Sequence, residues 1–357
     1  MAVGSLAPGF LYFLELEPID NYGPFPFYKL GFTKDSVPRR INELKTGNPF
    51  KIDAKDFFYS EAGGHIELKL HRRYQKNRIR NLEWFRFDSE AEINEVIQQA
   101  RIWDAELKDI VTTVRHLDTV VSNGETIEAT DAVKELAEEY KAKEKQKVIA
   151  QRERTEHEEI IKAEALKQGT VITGSLKVSV SKANPAYDWK AIQTQHAEQW
   201  AECFQGKTIK NTSSFHADYQ VKKNEIPESA EAKDRRLDNE EKLKKMLDVF
   251  TDEEVKEVPP NETVLASLEV LAKKKRQLDY LKYETHELKM KIALACGENE
   301  AIKGVFNWKR TEVDDIGRQQ RQFKRSYRDL LIQKPVSENS KAGTLSLKVI
   351  TPGTSKS

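Results

Sequence analysis

The sequence predicts an α+β protein in which a small antiparallel sheet with helices is followed by a long charged helical spacer and a second, helix-rich α+β module. Two short runs rich in aromatic and branched residues, "FLYFLEL" and "FYKLGF", flank the Pro/Gly-rich loop "DNYGPFP", as in a β-hairpin. Charged residues make up 33% of the 357 residues and hydrophobic residues 38%. That balance favours limited cores joined by long solvated helices.

The first helix is expected directly after the hairpin. Asp35 or Ser36 can cap its N-terminus, Pro38 suits its first turn, and Gly47 suits its C-terminal end. The stretch "YKLGFTKDSVPRRINELKTG" therefore predicts a strand, a short turn and a helix that begins with two adjacent arginines.

Three further elements complete an N-terminal domain that we place at residues 8–120. "DFFYSE" and "LEWFRF" predict strands, and "HIELKLHRRYQKN" predicts an amphipathic helix after Gly63 and Gly64. Ser89 and Glu92 have the spacing of a capping box, which predicts the start of another helix.

Residues 121–170 form the predicted spacer, because about half of the residues from 130 to 168 are charged and sparse apolar residues recur at helical spacing. A second module is expected at residues 175–334. "LKVSVSK", "GVFNWKRTEV" and "YRDLLIQK" predict its strands, and "DWKAIQTQHAEQWAECF" and residues 264–295 predict helices. Gly297 is expected to end the longer helix. Residues 335–357 are expected to be flexible, although "TLSLKVI" suits an edge strand.

Composition also excludes several classes of protein. The net charge is +1, so nucleic-acid contacts must be sought in local segments rather than in the total. Cys203 and Cys296 lack Cys or His neighbours at ligand spacing, which favours incidental thiols in a reducing compartment. No apolar run is long enough to span a membrane, and "MAVGSLAPGF" does not have the pattern of a signal peptide. We therefore expect a cytoplasmic protein. No Gly-rich phosphate loop followed by Lys-Ser/Thr is present, so nucleotide hydrolysis is not expected.

The N-terminal domain contains the groups that phosphodiester cleavage needs: a group to orient a water, a cation for the phosphate charge and a carboxylate for a metal. Tyr12 lies in the first strand and Lys29 in its neighbour. Arg40 lies in the first turn of a helix, where N–H groups and the helix dipole favour an anion. Glu67 and His71 are four residues apart and face the same side of the next helix. One carboxylate is enough to hold one Mg²⁺ that keeps most of its waters.

Basic residues near these groups indicate nucleic-acid binding, because such a run can neutralise several phosphates and make binding strongly salt-dependent. The candidate phosphate contacts are Arg39, Arg72, Arg73, Lys76, Arg78 and Arg80. The alternative for each is a solvated helix surface. Glu67 could equally pair with a lysine, Tyr12 could be a half-buried sheet residue, and His71 could be a packing residue.

This order of elements resembles the GIY-YIG nuclease superfamily. "FLYFLEL" and "YKLGFT" stand at the places of its two signatures, "RRINEL" resembles its arginine helix, and "HIELKLHRRY" resembles the helix that carries its metal carboxylate. The closing "LEWF" is similar to a phage and bacterial branch regarded as DNA-binding, whose members have K-I-G, R-L-x-x-L, E-x-x-L-H and E-W-F motifs. The resemblance covers about a quarter of the chain, and four weak motifs in the right order are fairly specific.

The resemblance implies an Mg²⁺- or Mn²⁺-dependent site built from Tyr12, Lys29, Arg40, Glu67 and His71. Tyr12 would act as a base or orient the water, Arg40 would stabilise the pentacovalent phosphate, and Glu67 would hold the metal. Lys29 departs from the superfamily, in which many nucleases carry tyrosine at that place. The DNA-binding branch carries lysine there, so phosphate binding is the firmer expectation and cleavage the weaker one.

The C-terminal region resembles the tail of YqaJ-type viral recombinases. "ALACGENEAIKGVFNWKRTEVDD" followed by "YRDLLIQK" carries that resemblance, over residues 196–334. No aspartate and Glu-x-Lys arrangement precedes it, so the resemblance implies an accessory role in DNA contact, oligomerisation or partner binding. A basic cluster is interleaved there with Trp308, Phe323 and Tyr327, as suits nucleic acid, although a core position is the better prediction for Trp308. The cluster comprises Lys303, Lys309, Arg310, Arg318, Arg321, Lys324, Arg325 and Arg328.

Two functions therefore stay open. The first is a phage-type, metal-dependent endonuclease that acts on DNA in processing or recombination. The second is a non-catalytic DNA-binding protein that oligomerises through its long helices. Recombination or replication proteins are compatible partners for both, and a purely structural bridging protein is a weaker third hypothesis. Metal-dependent cleavage separates the first two hypotheses.

Overall fold

The computed structural model describes residues 5–18, 25–46, 50–79, 83–168, 170–172, 176–181, 186–203, 205–222, 225–247, 256–334 and 344–349. Gly47, Arg80 and most of residues 335–357, for which the sequence made predictions, lie outside the described residues.

The chain divides into two compact units. Unit 1 comprises Met1–Gln146, Ile209–Val221 and Asp279–Thr311, and unit 2 comprises the segments Lys147–Thr208, Lys222–Leu278 and Glu312–Ser357. Each unit thus combines three separate stretches of chain. The linear boundaries expected near residues 120, 170 and 334 stay predictions.

Unit 1 begins with a four-stranded antiparallel sheet in the order β3-β1-β2-β4. Its strands are β1 (Gly9–Leu16), β2 (Phe27–Thr33), β3 (Ile52–Ser60) and β4 (Trp84–Arg86). Its helices are α1 (Val37–Lys45), α2 (Gly63–Arg73) and α3 (Glu90–Leu117). The predicted α+β fold, with a small antiparallel sheet and helices, is confirmed.

Each face of this sheet carries a core, because alternate residues of β1 join different cores. Leu11 and Phe13 belong to the large core that α2 and α3 also enter. Tyr12 and Leu14 belong to a smaller core on the opposite face, where Ile41 of α1 packs. The period-two alternation of a strand sends neighbouring side chains to opposite faces, which explains why almost every residue of β1 is apolar.

The helix ends follow the predicted capping only in part. The Ser89 hydroxyl accepts a hydrogen bond from the Glu92 N–H at 3.2 Å, as a cap at the start of α3 should. Ser36 precedes α1 in extended backbone, but its side chain makes no cap hydrogen bond, and Pro38 lies in the first turn. The start of α1 therefore leaves its N–H groups free of a side-chain cap.

The remaining elements of unit 1 form a second sheet in the order β5-β10-β11-β8. Its strands are β5 (Thr126–Ile127), β8 (Lys207–Phe215), β10 (Ala301–Ile302) and β11 (Phe306–Asp314). Two long helices also contribute to unit 1: α4 (Asp131–Gln168) through its first part and α8 (Glu262–Cys296) through its last. Both helices were predicted, and α8 is followed by Gly297 with the positive φ of 61° expected of a glycine after a helix.

Unit 2 contains the rest of those helices and two small two-stranded sheets. Its strands are β6 (Thr170–Ile172), β7 (Leu176–Ser181), β9 (Lys256–Val258) and β12 (Thr344–Val349), and β12 pairs with β7. The edge strand expected from "TLSLKVI" is therefore present. Its shorter helices are α5 (Trp189–Gln195), α6 (Ala197–Glu202), α7 (Ala230–Leu247) and α9 (Ile316–Ser326).

Two predictions for unit 2 are wrong. The single helix expected from "DWKAIQTQHAEQWAECF" is broken at His196 into α5 and α6. On one straight helix Trp189 and Trp200 would be about 16 Å apart along the axis, yet their ring centroids lie 6.2 Å apart. The break lets both tryptophans join one small core.

The second error concerns "YRDLLIQK", which forms a 3₁₀ turn at Arg328–Leu330 and one isolated bridge between Tyr187 and Gln333 instead of a strand. Its apolar residues pack beside Trp200 and Phe323. Burial of those side chains in a local cluster replaces the sheet pairing that their composition had suggested.

Candidate nucleic-acid interface and active site

The register of the N-terminal sheet sets the centre of the candidate site. Tyr12 of β1 lies opposite Gly31 of β2 on one side and Phe57 of β3 on the other. A Cβ atom at Gly31 would lie 2.3 Å from the Tyr12 ring and its hydroxyl, far closer than atoms can approach. The glycine is therefore needed so that the phenol can lie flat across β2.

Arg40 reaches the same place from α1. Its Nε donates a hydrogen bond to the Tyr12 hydroxyl at 3.4 Å, and its Nη1 donates to Glu43 at 3.1 Å. Among the described residues, no hydrogen bond or ion pair uses the remaining nitrogen, Nη2. The Arg40 side chain is 21% exposed, so it is held at Nε and Nη1 and remains partly accessible to solvent.

The Tyr12 phenol is held in its protonated form. Burial raises the pKa of Tyr12 to about 12, although the Arg40 guanidinium opposes that rise. At neutral pH the hydroxyl can accept a hydrogen bond from Arg40 and still donate its own proton to a phosphate oxygen or a water.

Glu67 and His71 hydrogen-bond to backbone groups of β2 that lie beyond the end of β4. That strand pairs with β2 only at Phe27–Lys29, so the following outward-facing groups of β2 lack a strand partner. The Phe32 N–H donates to Glu67 Oε1 at 3.1 Å, and His71 Nε2 donates to the Leu30 carbonyl at 2.8 Å. Glu67 and His71 are four residues apart on α2, and their partners Phe32 and Leu30 are two residues apart on β2. Both spacings are about 6–7 Å, so both side chains reach the edge of the sheet.

The Glu67 carboxyl group lies in a strongly dehydrated environment. Burial raises its pKa to about 8, and the negative charge of Glu83 adds to that effect. Lys29, the Phe32 N–H and Arg40 act in the opposite direction without offsetting it. A carboxylate in this state is stabilised by a bound cation.

His71 is neutral, and its ring hydrogen-bonds to the backbone of β2. Burial lowers the pKa of His71 to about 4, and because Nε2 donates to a carbonyl, only Nδ1 is left to accept a hydrogen bond. Its ring also lies 5.1 Å from the ring of Phe85. The sequence predicted a catalytic role for His71. These contacts favour the alternative of a packing residue that positions β2 and α2.

Lys29 is buried on the same face of the sheet as Tyr12 and pairs with a residue to which the sequence had assigned no role. Its Nζ lies 2.6 Å from Glu83 Oε2 and 5.9 Å from the centre of the Trp84 ring. Burial alone would raise the pKa of Glu83, but the Lys29 cation outweighs it and lowers that pKa. Glu83 belongs to the "LEWF" motif, and only the pairing of Lys29 with Trp84 reveals that it meets Lys29.

The predicted phosphate contacts are dispersed. Arg39 is 65% exposed and is held by Asp35 and Glu43. Arg72 lies 4.3 Å from the centre of the Tyr280 ring and 3.9 Å from Glu284 of α8. The other described members are exposed Arg73, which lies over Trp103, exposed Lys76, and half-buried Arg78, which lies over Phe85. The arginine that donates to Tyr12 is Arg40, which lies outside this set.

The C-terminal basic cluster falls into two parts. Lys303 pairs with Glu128, Lys309 with Glu300, and Arg310 is completely buried beside Trp308, all in unit 1. The other basic members, from Arg318 to Arg328, belong to unit 2. A nucleic-acid role for Arg310 is therefore wrong, while the core position predicted for Trp308 is confirmed.

The residues of the site fit a lightly held divalent cation. The described part of the chain has no group of three or more His, Cys, Asp or Glu side chains placed to hold a metal. Mg²⁺ does not require such a cage, because it keeps several waters and is commonly bound through one or two carboxylates. With Oε1 of Glu67 engaged by Phe32, Oε2 is the oxygen suited to that contact.

The fold and site together define a small α+β domain that presents an Arg-Tyr pair and a buried carboxylate at one end of a sheet. Residues 9–103 match the family model of the T5orf172 domain, which is associated with GIY-YIG-like and phage nuclease-type proteins. The match spans roughly a quarter of the chain and supports the N-terminal resemblance. No curated protein and no solved structure matches the chain. The likeness of the C-terminal region to YqaJ-type tails stays a prediction.

No helix among the described residues combines the length and the apolar composition that a membrane crossing requires.

Proposed function

We propose that residues 9–103 bind DNA and hydrolyse a phosphodiester bond with the help of Mg²⁺ or Mn²⁺. The observation that carries the proposal is the convergence of Arg40, Tyr12 and Glu67 beside Gly31. The charges of Arg40 and Glu67 both act on the pKa of Tyr12, so the three groups lie within electrostatic reach of one another. The T5orf172 match supports the DNA-binding and nuclease-like class to which this proposal belongs.

Arg40 binds the scissile phosphate. Tyr12 and Glu43 hold its Nε and Nη1, so the side chain is oriented before DNA arrives. Its Nη2, which is not engaged by Tyr12 or Glu43, donates to a phosphate oxygen and opposes the charge that grows there during attack. Such preorganised donors typically contribute about 100-fold to 1,000-fold in rate.

In this proposal Tyr12 orients the attacking water and does not deprotonate it. With the pKa of Tyr12 raised to about 12, a phenolate is scarce at neutral pH. The hydroxyl keeps its proton and donates a hydrogen bond to the attacking water or to a phosphate oxygen, while it accepts one from Arg40.

Glu67 supplies the carboxylate oxygen for the cation, and the Phe32 N–H holds the other oxygen in place. When bound, Mg²⁺ would neutralise phosphate charge and stabilise the leaving oxygen. Because protons and cations compete for the carboxylate, loss of the proton from Glu67 accompanies metal binding.

A DNA-binding protein without cleavage is the second candidate, and the Lys29–Glu83 contact favours it. The 2.6 Å ion pair engages the lysine amine at the place where many nucleases of the resembled superfamily have a tyrosine hydroxyl. In that case Arg40 still binds phosphate, and no cleavage occurs with either metal.

The deciding experiment measures cleavage of supercoiled and branched DNA with Mg²⁺ or Mn²⁺, beside equilibrium binding. Glu67→Gln removes the charge and keeps an oxygen for the Phe32 N–H. Arg40→Ala removes the phosphate donor. Matched controls are Glu106→Gln, on the exposed surface of α3, and Arg115→Ala, an exposed arginine of α3 that pairs with Glu61.

We expect Glu67→Gln to reduce cleavage about 1,000-fold or more, since a metal contributes several kcal/mol, while DNA binding is retained. Arg40→Ala should reduce both cleavage and binding, and both controls should resemble the wild type. DNA binding without any metal-dependent cleavage would establish the second candidate. No difference between Arg40→Ala and Arg115→Ala would reject the site.

A further inference from the structure

Two aromatic side chains next to the site are unusually open to solvent. Phe57 is 46% exposed and Tyr59 is 52% exposed, both on the edge strand β3. Single exposed apolar residues are common on protein surfaces. Two rings that are two residues apart on one strand share a face, however, and so form a continuous aromatic surface.

That surface lies on the same face of the sheet as the candidate phosphate site. Phe57 is the register partner of Tyr12, and Tyr59 is the register partner of Phe10. Side chains directly opposite each other in an antiparallel pair lie side by side, with Cβ atoms about 5 Å apart. The Phe57 ring therefore begins one strand away from the tyrosine that holds Arg40.

The neighbouring elements leave these rings uncovered. Ile41 and Leu44 of α1 pack into the small core with Leu14 and Ile52. Phe10 meets Tyr59 edge-on, with centroids 5.6 Å apart and ring planes at 77°. Phe10 thus supports Tyr59, while about half of each of the Phe57 and Tyr59 side chains stays exposed to solvent.

We propose that Phe57 and Tyr59 form a stacking surface for an unpaired nucleobase whose phosphate is bound at Arg40. This inference rests on the proposed function and names its substrate class: DNA with a single-stranded segment at the bound phosphate. A nucleotide has an anionic phosphate beside an aromatic base, which matches a guanidinium beside two aromatic rings. In an intact duplex the bases stack on each other, so their faces are not available to these side chains.

Other occupants fit less well. A second protein surface that covered Phe57 and Tyr59 by apolar contact would also have to meet Arg40, which contacts the Tyr12 hydroxyl on the β2 side of β1. A nucleotide satisfies both neighbouring features with one chemical unit. Base stacking on aromatic side chains also tolerates any sequence, as expected for a structure-directed DNA-binding protein.

The test compares the full chain with the double variant Phe57→Thr/Tyr59→Thr, since threonine keeps the β-strand preference and removes both rings. The conservative variant Phe57→Tyr/Tyr59→Phe keeps both rings. Ile102→Ala removes an equally exposed apolar residue on α3 and serves as the control. The probes are a single-stranded oligonucleotide with one 2-aminopurine base, the matching duplex, and a fork with that base unpaired.

We expect the threonine variant to bind the single strand and the fork about fivefold to 150-fold more weakly, the range for one lost base stack. Its duplex affinity should not change, and it should lose the quenching of 2-aminopurine that wild type shows. The conservative variant and Ile102→Ala should behave as wild type.

Equal weakening of duplex and single-strand binding, or no weakening of either, would reject the stacking surface. A change of sedimentation behaviour in the threonine variant without loss of quenching would show that the rings bind protein instead. Arg40→Ala, measured on the same probes, keeps the two proposals apart. If Arg40→Ala loses binding while the threonine variant does not, only the stacking inference fails, and if neither variant changes binding, both proposals fail.

Discussion

Two arginines of unit 1 lie next to aromatic side chains, yet they have opposite environments. Arg40 donates to the Tyr12 hydroxyl and is partly exposed. Arg310 is completely buried, with its guanidinium 4.0 Å from the centre of the Trp308 ring. Both belong to basic stretches that the sequence associated with nucleic acid, so composition alone did not separate them.

Their hydrogen-bond partners explain the difference. Arg310 Nη2 donates to the carbonyl oxygens of Gly297 and Asn299, directly after α8. A cation at the C-terminal end of a helix also interacts favourably with the helix dipole. Burial lowers its pKa despite the favourable charge of Asp118. For Arg40, burial alone would lower the pKa, but the hydrogen bonds to Tyr12 and Glu43 outweigh it and raise it. Among the described residues, Nε and Nη1 of Arg310 have no hydrogen-bond partner, but both are buried and cannot meet a ligand. Arg40 is partly exposed, so its unused Nη2 stays available to one.

The largest effect on stability is expected at Arg310. Arg310→Met keeps much of the apolar volume but leaves two partly buried carbonyl groups without their donor, which should lower the free energy of unfolding by about 2–4 kcal/mol. Arg40→Met should change it by less than about 0.5 kcal/mol, as for a surface residue. Urea unfolding of both variants measures this. A smaller loss for Arg310→Met than for Arg40→Met would overturn the comparison.

The aromatic partner of Arg40 offers the next test. Gly31→Ala places a methyl group against the Tyr12 ring, and such overpacking should cost about 1–3 kcal/mol. Gly317→Ala in α9 is the control, because the nearest atom to its Cβ is 3.5 Å away, an ordinary contact. Thermal unfolding should show a lower midpoint for Gly31→Ala and an unchanged or higher midpoint for Gly317→Ala. Equal midpoints would mean that Tyr12 can move away from Gly31 at little cost.

The smallest effect concerns His71 and depends on pH. The pKa of His71 is about 4 in the folded protein, chiefly through burial, with Arg78 and Lys29 acting in the same direction and Glu83 against it. An unfolded histidine has a pKa near 6.5. Between these values the unfolded chain binds a proton that the folded chain does not, so stability falls as pH falls through 6.5 and stops changing below about 4.

From pH 7.5 to 5.5 this difference should cost about 1 kcal/mol, and His71→Gln should remove that part of the pH dependence. Urea unfolding at several pH values measures it. His116→Gln is the control, because His116 is an exposed histidine on α3 of the same unit. The same pH dependence in wild type and His71→Gln would show that His71 does not titrate as expected.

Much of the N-terminal domain followed from local patterns. The hairpin, the arginine helix, the helix with Glu67 and His71 and the Ser89 cap all form near the predicted residues. The site residues Tyr12, Arg40 and Glu67 were also chosen from order and spacing. Their catalytic roles stay predictions that the cleavage experiment addresses.

The partners of those residues did not follow from the sequence. Glu83 meets Lys29, and Glu43 holds Arg40. Phe57 lies beside Tyr12 because of the strand register. The two residues are so far apart in the chain that no local sequence pattern could have paired them. In unit 2, the break at His196 and the 3₁₀ turn at Arg328–Leu330 were missed for the same reason, since packing around Trp200 and Phe323 outweighed local preference.

The sequence by itself determined the element types, because hydrophobic period, glycine and proline positions and helix caps act over a few residues. It also determined which residues have the chemistry for phosphate. Only the tertiary structure decided which charges are buried, paired or open, because that depends on the register of β3, β1 and β2 and on what the ends of α2 and α8 meet. Arg40 and Arg310 differ for this reason: the free energy of a charged group depends on its surroundings in space.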